Sequence, residues 1–384
     1  MPRIILLSTF LVLFCFSFVI YGQNPQIASV VHTQYKINSQ VLGEERSVLV
    51  RVPANYARTN EKFPVVYMLD AHAPQNSMMA GIIEQQAWAG TMPEMILVGI
   101  QNINRSRDLT PVDDGKGGQV GGGARFLQFI ESEVIPLVEK NYRTQPFRIF
   151  AGHSLGGLFA VYTFTARPDL FNAYIAASPV LGYADNFTIR RAEELFKQNK
   201  EWKKTMFLGI GDEPQYIGGF NAFQSLLKKI KPKDFEYEFR EFRDENHGSV
   251  VLPVYYAGLR KIFAGWTPPP AGGIAELEGH YKRLSDRFGY KIIIPEATLN
   301  QIGYQFLRAQ KYAEAIEVFK KNVENYPNAA NCYDSLAEAY EKSGALKLAR
   351  ENYEKAYKMA ETHGETQLAQ TAKANFERLS AKLK

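Results

Sequence analysis

The chain has 384 residues, more than one average domain, and 46% of them are hydrophobic, so two folded domains are expected. Lys and Arg number 45 against 40 Asp and Glu, a formal charge of +5 without a dense basic cluster, which gives nucleic-acid binding no support. There are two cysteines, and no spacing of Cys or His matches a metal site; neither a disulfide framework nor a metal or other cofactor is expected.

Residues 1–22 carry Arg3 as their sole charge, followed by a run from position 4 to 20 that is apolar apart from Ser8, Thr9 and Ser17. This is the pattern of a secretory signal peptide cleaved near Gly22, giving an exported chain, periplasmic or secreted. The run approaches the length of a spanning helix, so a retained membrane anchor is the competing reading. Cys15 follows bulky Phe14, which argues against a lipid-modified start, and cleavage leaves only Cys332.

Residues 33–41 and 46–52 alternate in part between apolar and polar and flank Gly43-Glu44-Glu45, which predicts an opening antiparallel hairpin. Apolar runs at 65–69, 96–100, 149–151, 173–177 and 206–210, with helical stretches between several of them, predict buried parallel strands. The fold class that follows is α/β, a sheet with helices on both faces. Phe126, Phe129, Ile130, Val134, Leu137 and Val138 recur at helical spacing, so that helix packs on the sheet, and Pro136 is expected to kink it.

The strand at 149–151 runs into Gly152-His153-Ser154-Leu155-Gly156-Gly157, and an apolar helix over 158–165 follows, ended by Pro168. A bare G-x-S-x-G is a weak signal in a glycine-rich chain. Placed between strand and helix it is a strong one, because the tight turn lifts the serine hydroxyl to the top of the sheet and frees the next N–H for an oxyanion. Ser154 is therefore the candidate nucleophile and Leu155 one oxyanion donor. The second donor is expected from the loop Asp70-Ala71-His72-Ala73, at Ala71 or His72, and the His72 side chain is alternatively a substrate contact or an ordinary loop residue.

A serine needs a base, and six histidines are available. His32 precedes the first strand, His72 lies in the early loop, His153 is fixed beside the nucleophile and points elsewhere, and His280 and His363 come late in the chain. His247 fits best, in the loop 243–249 after an alternating strand at 235–242. The orienting acid should lie between Ser154 and His247. The strand at 206–210 ends in Gly211-Asp212-Glu213-Pro214, which offers Glu213 as the preferred acid and Asp212 as the second; Asp244, another acid or a Ser–His dyad are the remaining readings.

The run Trp266-Thr267-Pro268-Pro269-Pro270-Ala271-Gly272-Gly273 breaks every regular pattern. It sets the expected boundaries: a catalytic domain over 23–265, a linker over 266–275 across which few contacts pass, and a helical domain over 276–384. Beyond it, residues 34 apart match in kind: Ile302 with Leu336, Gly303 with Ala337, Phe306 with Tyr340, Ala315 with Ala349 and Phe319 with Tyr353. This period resembles the tetratricopeptide repeat, with helices at 276–288 and 365–383 as flanking caps. The alternative for 276–288 is a helix that packs across the catalytic domain and completes its core.

With these motifs in hand, the chain resembles the esterase family of α/β-hydrolases that includes esterase D, enterochelin esterase and the trilactone siderophore esterases. The resemblance rests on Pro64-Val65-Val66-Tyr67-Met68-Leu69-Asp70, on Asn104-Arg105-Ser106-Arg107-Asp108-Leu109-Thr110-Pro111, on Gly152-His153-Ser154-Leu155-Gly156-Gly157 and on Asn246-His247-Gly248. It covers roughly residues 30–265 and implies Ser154 as nucleophile and His247 as base. Many members have Leu-Asp-Gly where this chain has Leu69-Asp70-Ala71, and the short enterochelin-type enzymes lack the repeats. Two functions follow: a serine esterase acting on a small-molecule ester, such as a siderophore or a carbohydrate acyl ester, or an interaction protein whose repeats bind a protein partner.

Overall fold

The computed structural model describes residues 32–54, 56, 60–198, 201–269 and 274–383. The expected signal segment, residues 1–22, lies outside the described residues. No helix among the described residues is long and apolar enough to cross a membrane.

Strands β1 (Thr33–Ser39) and β2 (Glu44–Arg51) form the opening hairpin, with Thr33 opposite Val50 and Ser39 opposite Glu44. β3 (Phe63–Met68), β4 (Ile96–Ile100), β5 (Thr144–His153), β6 (Ala173–Ala177), β7 (Glu201–Ile210) and β8 (Lys233–Glu241) complete one sheet in the order β1-β2-β4-β3-β5-β6-β7-β8. β2 is antiparallel to β4, and every pairing from β4 to β8 is parallel. All residues of β3, β4 and β6 are buried, which is why these strands read as continuous apolar runs and not as alternation.

Helix α1 (Ala73–Trp88) covers one face of the sheet. The other face carries α2 (Arg105–Leu109), α3 (Gly123–Phe129), α4 (Ile135–Asn141), α5 (Leu155–Ala166), α6 (Tyr183–Gln198) and α7 (Ile217–Ile230), with Phe126, Phe159, Phe164 and Phe223 in a shared aromatic core. The expected kink near Pro136 is a five-residue π-helical stretch, Ile130–Val134, between α3 and α4. Pro136 has no N–H to continue the α-helical ladder, and the wider turn accommodates the lost bond.

α8 (Val251–Ile262) joins α1 on the first face, and α9 (Ile274–Phe288) follows on the same side. Leu277, Tyr281, Leu284 and Phe288 of α9 are spaced to form one apolar stripe, all buried in the cluster that includes Phe147, Ile149 and Phe263 of the sheet side. Phe288 stacks on Phe263 at 5.2 Å and meets Phe147 edge-on at 5.0 Å. The expectation that few contacts cross after Trp266 is overturned. Trp266 is itself buried against Phe288 at 5.7 Å, and its carbonyl accepts a hydrogen bond from His280 Nε2 at 3.0 Å. Apolar surface on a helix seeks the nearest uncovered sheet face, and the stripe on α9 finds it here.

The tail continues as α10 (Glu296–Arg308), α11 (Tyr312–Asn325), α12 (Ala330–Lys342), α13 (Leu346–His363) and α14 (Thr366–Lys382). Ala315 and Ala349, and Phe319 and Tyr353, the residues matched at a period of 34, are all buried in one cluster. A Cβ on Gly303 would fall 2.4 Å from the Phe319 ring, so only glycine allows α10 and α11 to cross this closely.

Candidate active site

β5 ends at His153 and α5 begins at Leu155, so the single residue Ser154 makes the turn, with φ 61° and ψ −118°. A non-glycine residue at positive φ is strained, and the surroundings hold it there. Ser154 N–H donates to Ala177 O at 2.8 Å, and the flanking glycines leave room for backbone to pass: a Cβ on Gly152 would lie 2.2 Å from Gly156 O, and one on Gly157 2.9 Å from Ala177 O. The glycine pattern in the sequence is thus a record of crowding at this elbow.

His247 Nε2 lies 3.0 Å from Ser154 Oγ, and its Nδ1 lies 2.5 Å from Glu213 Oε2. The carboxylate can only accept, so Nδ1 carries the proton and Nε2 is free to take one from serine. Glu213 is 2% exposed. Its other oxygen, Oε1, accepts from Gly211 N–H at 3.0 Å and from the Ser178 hydroxyl, so its lone pairs are occupied on both sides. Three residues far apart in sequence, 154, 213 and 247, therefore meet past the C-terminal ends of β5, β7 and β8 of the parallel part of the sheet, where open α/β sheets carry their chemistry.

Of the two acids at the end of β7, Glu213 and not Asp212 contacts His247. The Asp212 side chain is exposed, and its N–H donates to Glu245 O at 2.7 Å, which ties the β7 turn to the base loop. Asp244 is exposed. The base loop is braced by Asn246, whose Oδ1 accepts from Gly248 N–H at 2.9 Å and Ser249 N–H at 3.1 Å.

The oxyanion donors divide. The Leu155 N–H, in the first turn of α5, has no acceptor within its own helix and sits at the positive end of the helix dipole. The amides of Ala71 and His72 do not match the expected second donor. Ala71 N–H bonds Ile100 O at 3.3 Å and His72 N–H bonds Asp70 O at 2.7 Å, so both are committed to backbone carbonyls. Asp70, immediately before them, has a positive φ of 55°. The His72 side chain is exposed at the start of α1.

Two features escaped the sequence reading. Ser178, fully buried just past the end of β6 with φ 42°, donates to the Glu213 carboxylate; its place just past a strand end is the signal that could have drawn attention to it. The second is a polar brace under the nucleophile. Arg105 donates from Nε and Nη2 to Asp70 at 2.8 and 3.0 Å and from Nη2 to His153 O at 2.8 Å, and Asn102 also bonds Asp70. Arg105 is held in place because α2 is itself anchored: Asp108, 1% exposed, receives Arg46 at 2.6 Å and Arg107 at 2.8 Å.

The chain matches the family model described as "Putative esterase" over residues 39–211 and a tetratricopeptide repeat model over 295–362. Among characterised proteins, it is 30% identical to the ferri-bacillibactin esterase BesA of Bacillus subtilis over 224 residues, covering 50% of this chain and 75% of that one. The chain belongs to this esterase family. An IroE-like serine hydrolase from Shewanella oneidensis shares the fold at a TM-score of 0.68 and 29% identity, over 77% of this chain and 99% of that one. A structure from Capnocytophaga ochracea, 19% identical, aligns over 91% of this chain and 100% of its own with a TM-score of 0.61, so the shared fold includes the helical tail. The esterase match ends at residue 211, ahead of Glu213 and His247, whose assignment rests on the geometry above.

Proposed function

We propose that this esterase is a serine carboxylic-ester hydrolase working through Ser154, His247 and Glu213. The observation that carries the reading is the unbroken run of hydrogen bonds from Ser154 Oγ through the His247 ring to a buried Glu213 carboxylate. His247 Nε2 takes the serine proton as Oγ attacks the ester carbonyl, and Glu213 stabilises the imidazolium that forms. The Leu155 N–H donates to the oxyanion. Collapse of the tetrahedral intermediate breaks the bond to the alcohol, which leaves with the proton held on His247. Water, deprotonated by the same base, then releases the acid from Ser154 and restores the enzyme.

The substrate class proposed is ester-linked siderophores, in keeping with the activity named for the Bacillus subtilis relative, with carbohydrate acyl esters as the second class. Residues 1–22 serve as an export signal in this reading, which places the enzyme outside the cytoplasm, and the repeats offer a surface for a protein partner. The test is a hydrolysis screen of the mature chain against short aryl esters, feruloyl esters and catecholate triesters. Ser154→Ala should lower turnover by about a thousandfold or more without changing the unfolding transition; near-normal turnover in that variant refutes the nucleophile.

A further inference from the structure

We propose that His153 is a positioning residue for the base: its neutral ring donates Nε2–H to the backbone carbonyl of His247 and so holds the catalytic imidazole between Ser154 and Glu213. The proposal rests on the esterase reading of those three residues.

His153 Nε2 lies 2.7 Å from His247 O. A carbonyl only accepts, so this contact fixes the proton on Nε2. The two rings lie with centroids 4.6 Å apart, inclined by 45°, so the side chain that ties down the base's backbone also bounds its ring. His153 is in turn held from behind. Its own carbonyl accepts from Arg105, which is clamped to Asp70 by two further bonds. A continuous path of polar contacts therefore joins the end of β3, the brace helix α2, the nucleophile turn and the base loop. Residues 242–250 form no strand or helix, and besides their local turns the loop is tied to the end of β7 through Phe242 N–H to Ile210 O, Asp212 N–H to Glu245 O and the His247–Glu213 contact; His153 adds the tie from the nucleophile side.

The charge state of His153 suits the task. Burial foremost, then the neighbouring His247 ring and Arg105, push its pKa down to about 4, against the hydrogen bond to the His247 carbonyl and the Asp70 carboxylate, which both pull it up. When His247 becomes an imidazolium during turnover, a second cation at 4.6 Å would disfavour it. A neutral donor leaves that charge to Glu213.

The experiment compares the mature wild-type chain with His153→Leu and His153→Gln. The readouts are phosphonylation of Ser154 by a fluorophosphonate, kcat and KM on p-nitrophenyl acetate, and the low-field proton resonance of the His247 Nδ1–H. Gln can still reach the carbonyl with an N–H, whereas Leu cannot. His153→Leu should slow both labelling and kcat by about tenfold to a hundredfold, with KM within about twofold. The resonance should weaken in His153→Leu and persist in His153→Gln, whose rates should return to within about threefold of wild type. If His153→Leu does not fold, His153→Asn, polar but too short to reach the carbonyl, takes its place. Wild-type labelling and an unchanged resonance in the donor-free variant overturn the proposal, as does a folded His153→Gln as slow as His153→Leu, which would make packing the operative feature. Failure of the wild type to label at Ser154 overturns the esterase reading instead, and the resonance still decides whether His153 sets the His247 ring.

Discussion

Phe288 tests whether α9 is part of the catalytic domain. Its ring is 4% exposed and contacts Phe263, Phe147 and Trp266, so Phe288→Ala removes a large aromatic side chain from a packed site, at a cost of about 3–5 kcal/mol. For a cooperative unit of this size each kcal/mol moves the melting temperature by about 2–4 °C, which puts the expected drop near 10 °C. Activity at low temperature should barely change: Phe147 and Ser154 are seven residues apart along β5, about 20 Å at strand spacing, so the packing and the chemistry sit at opposite ends of the strand. The assay is a thermal melt followed by circular dichroism, alongside turnover of p-nitrophenyl acetate at 20 °C. Leu348→Ala, a residue 44% exposed on α13, is the control, expected within about 0.5 kcal/mol of wild type. Truncation after Trp266 is the stronger version. It removes seven buried residues from this cluster, the four of α9 together with Ile294, Leu299 and Val318, at about 1.5–3 kcal/mol each, a sum at least comparable with the whole stability of a domain, about 5–15 kcal/mol. The shortened chain should aggregate. A soluble truncation, or a Phe288→Ala variant, that melts with wild type would refute the reasoning and restore the linker as a true boundary.

The remaining predictions concern the site. Glu213→Gln should reduce kcat by about 10³–10⁴ with KM little changed, because the amide no longer holds the His247 tautomer or its positive charge, whereas Asp212→Asn should stay within about twofold; the opposite order in steady-state kinetics would reassign the acid. Ser178→Ala deprives Glu213 Oε1 of a donor and should lower kcat by about tenfold, and wild-type kinetics would show that the Gly211 N–H alone suffices. For His153, folded pKa about 4 against an ordinary 6.5, the unfolded chain binds the extra proton between those values. Stability is therefore full above pH 6.5 and falls as the pH drops towards 4, by about 3 kcal/mol at most. Denaturant melts across that range should show a slope that His153→Gln flattens; the same slope in both proteins would trace it to other groups.

The fold was largely legible because each parallel strand is buried on both faces and leaves a short apolar run in the sequence. Lengths were not, since β5 spans Thr144–His153 where only 149–151 is uniformly apolar: its outer residues are held by ladder bonds to β3, which leave no mark on side-chain type. The Pro/Gly run read as a spacer for a related reason. Composition reports that a segment cannot be helix or strand, and says nothing of whether Trp266 at its edge finds Phe288 in space.

The same division runs through the site. Ser154, Leu155 and the strand-end acid were readable because the turn itself constrains the sequence around them. Contacts between loops impose no such constraint: Ser178 and Asn102 carried no local signature, Arg105 stood in a family motif that gave it no role, and His153 was set aside because its side chain cannot face the serine beside it. At the end of β5 the His153 side chain meets the loop after β8, three strands along the sheet, and lies 2.7 Å from the His247 carbonyl, a contact that strand order alone does not foretell. The residue that the nucleophile turn excludes from the chemistry is delivered to the carbonyl of the base.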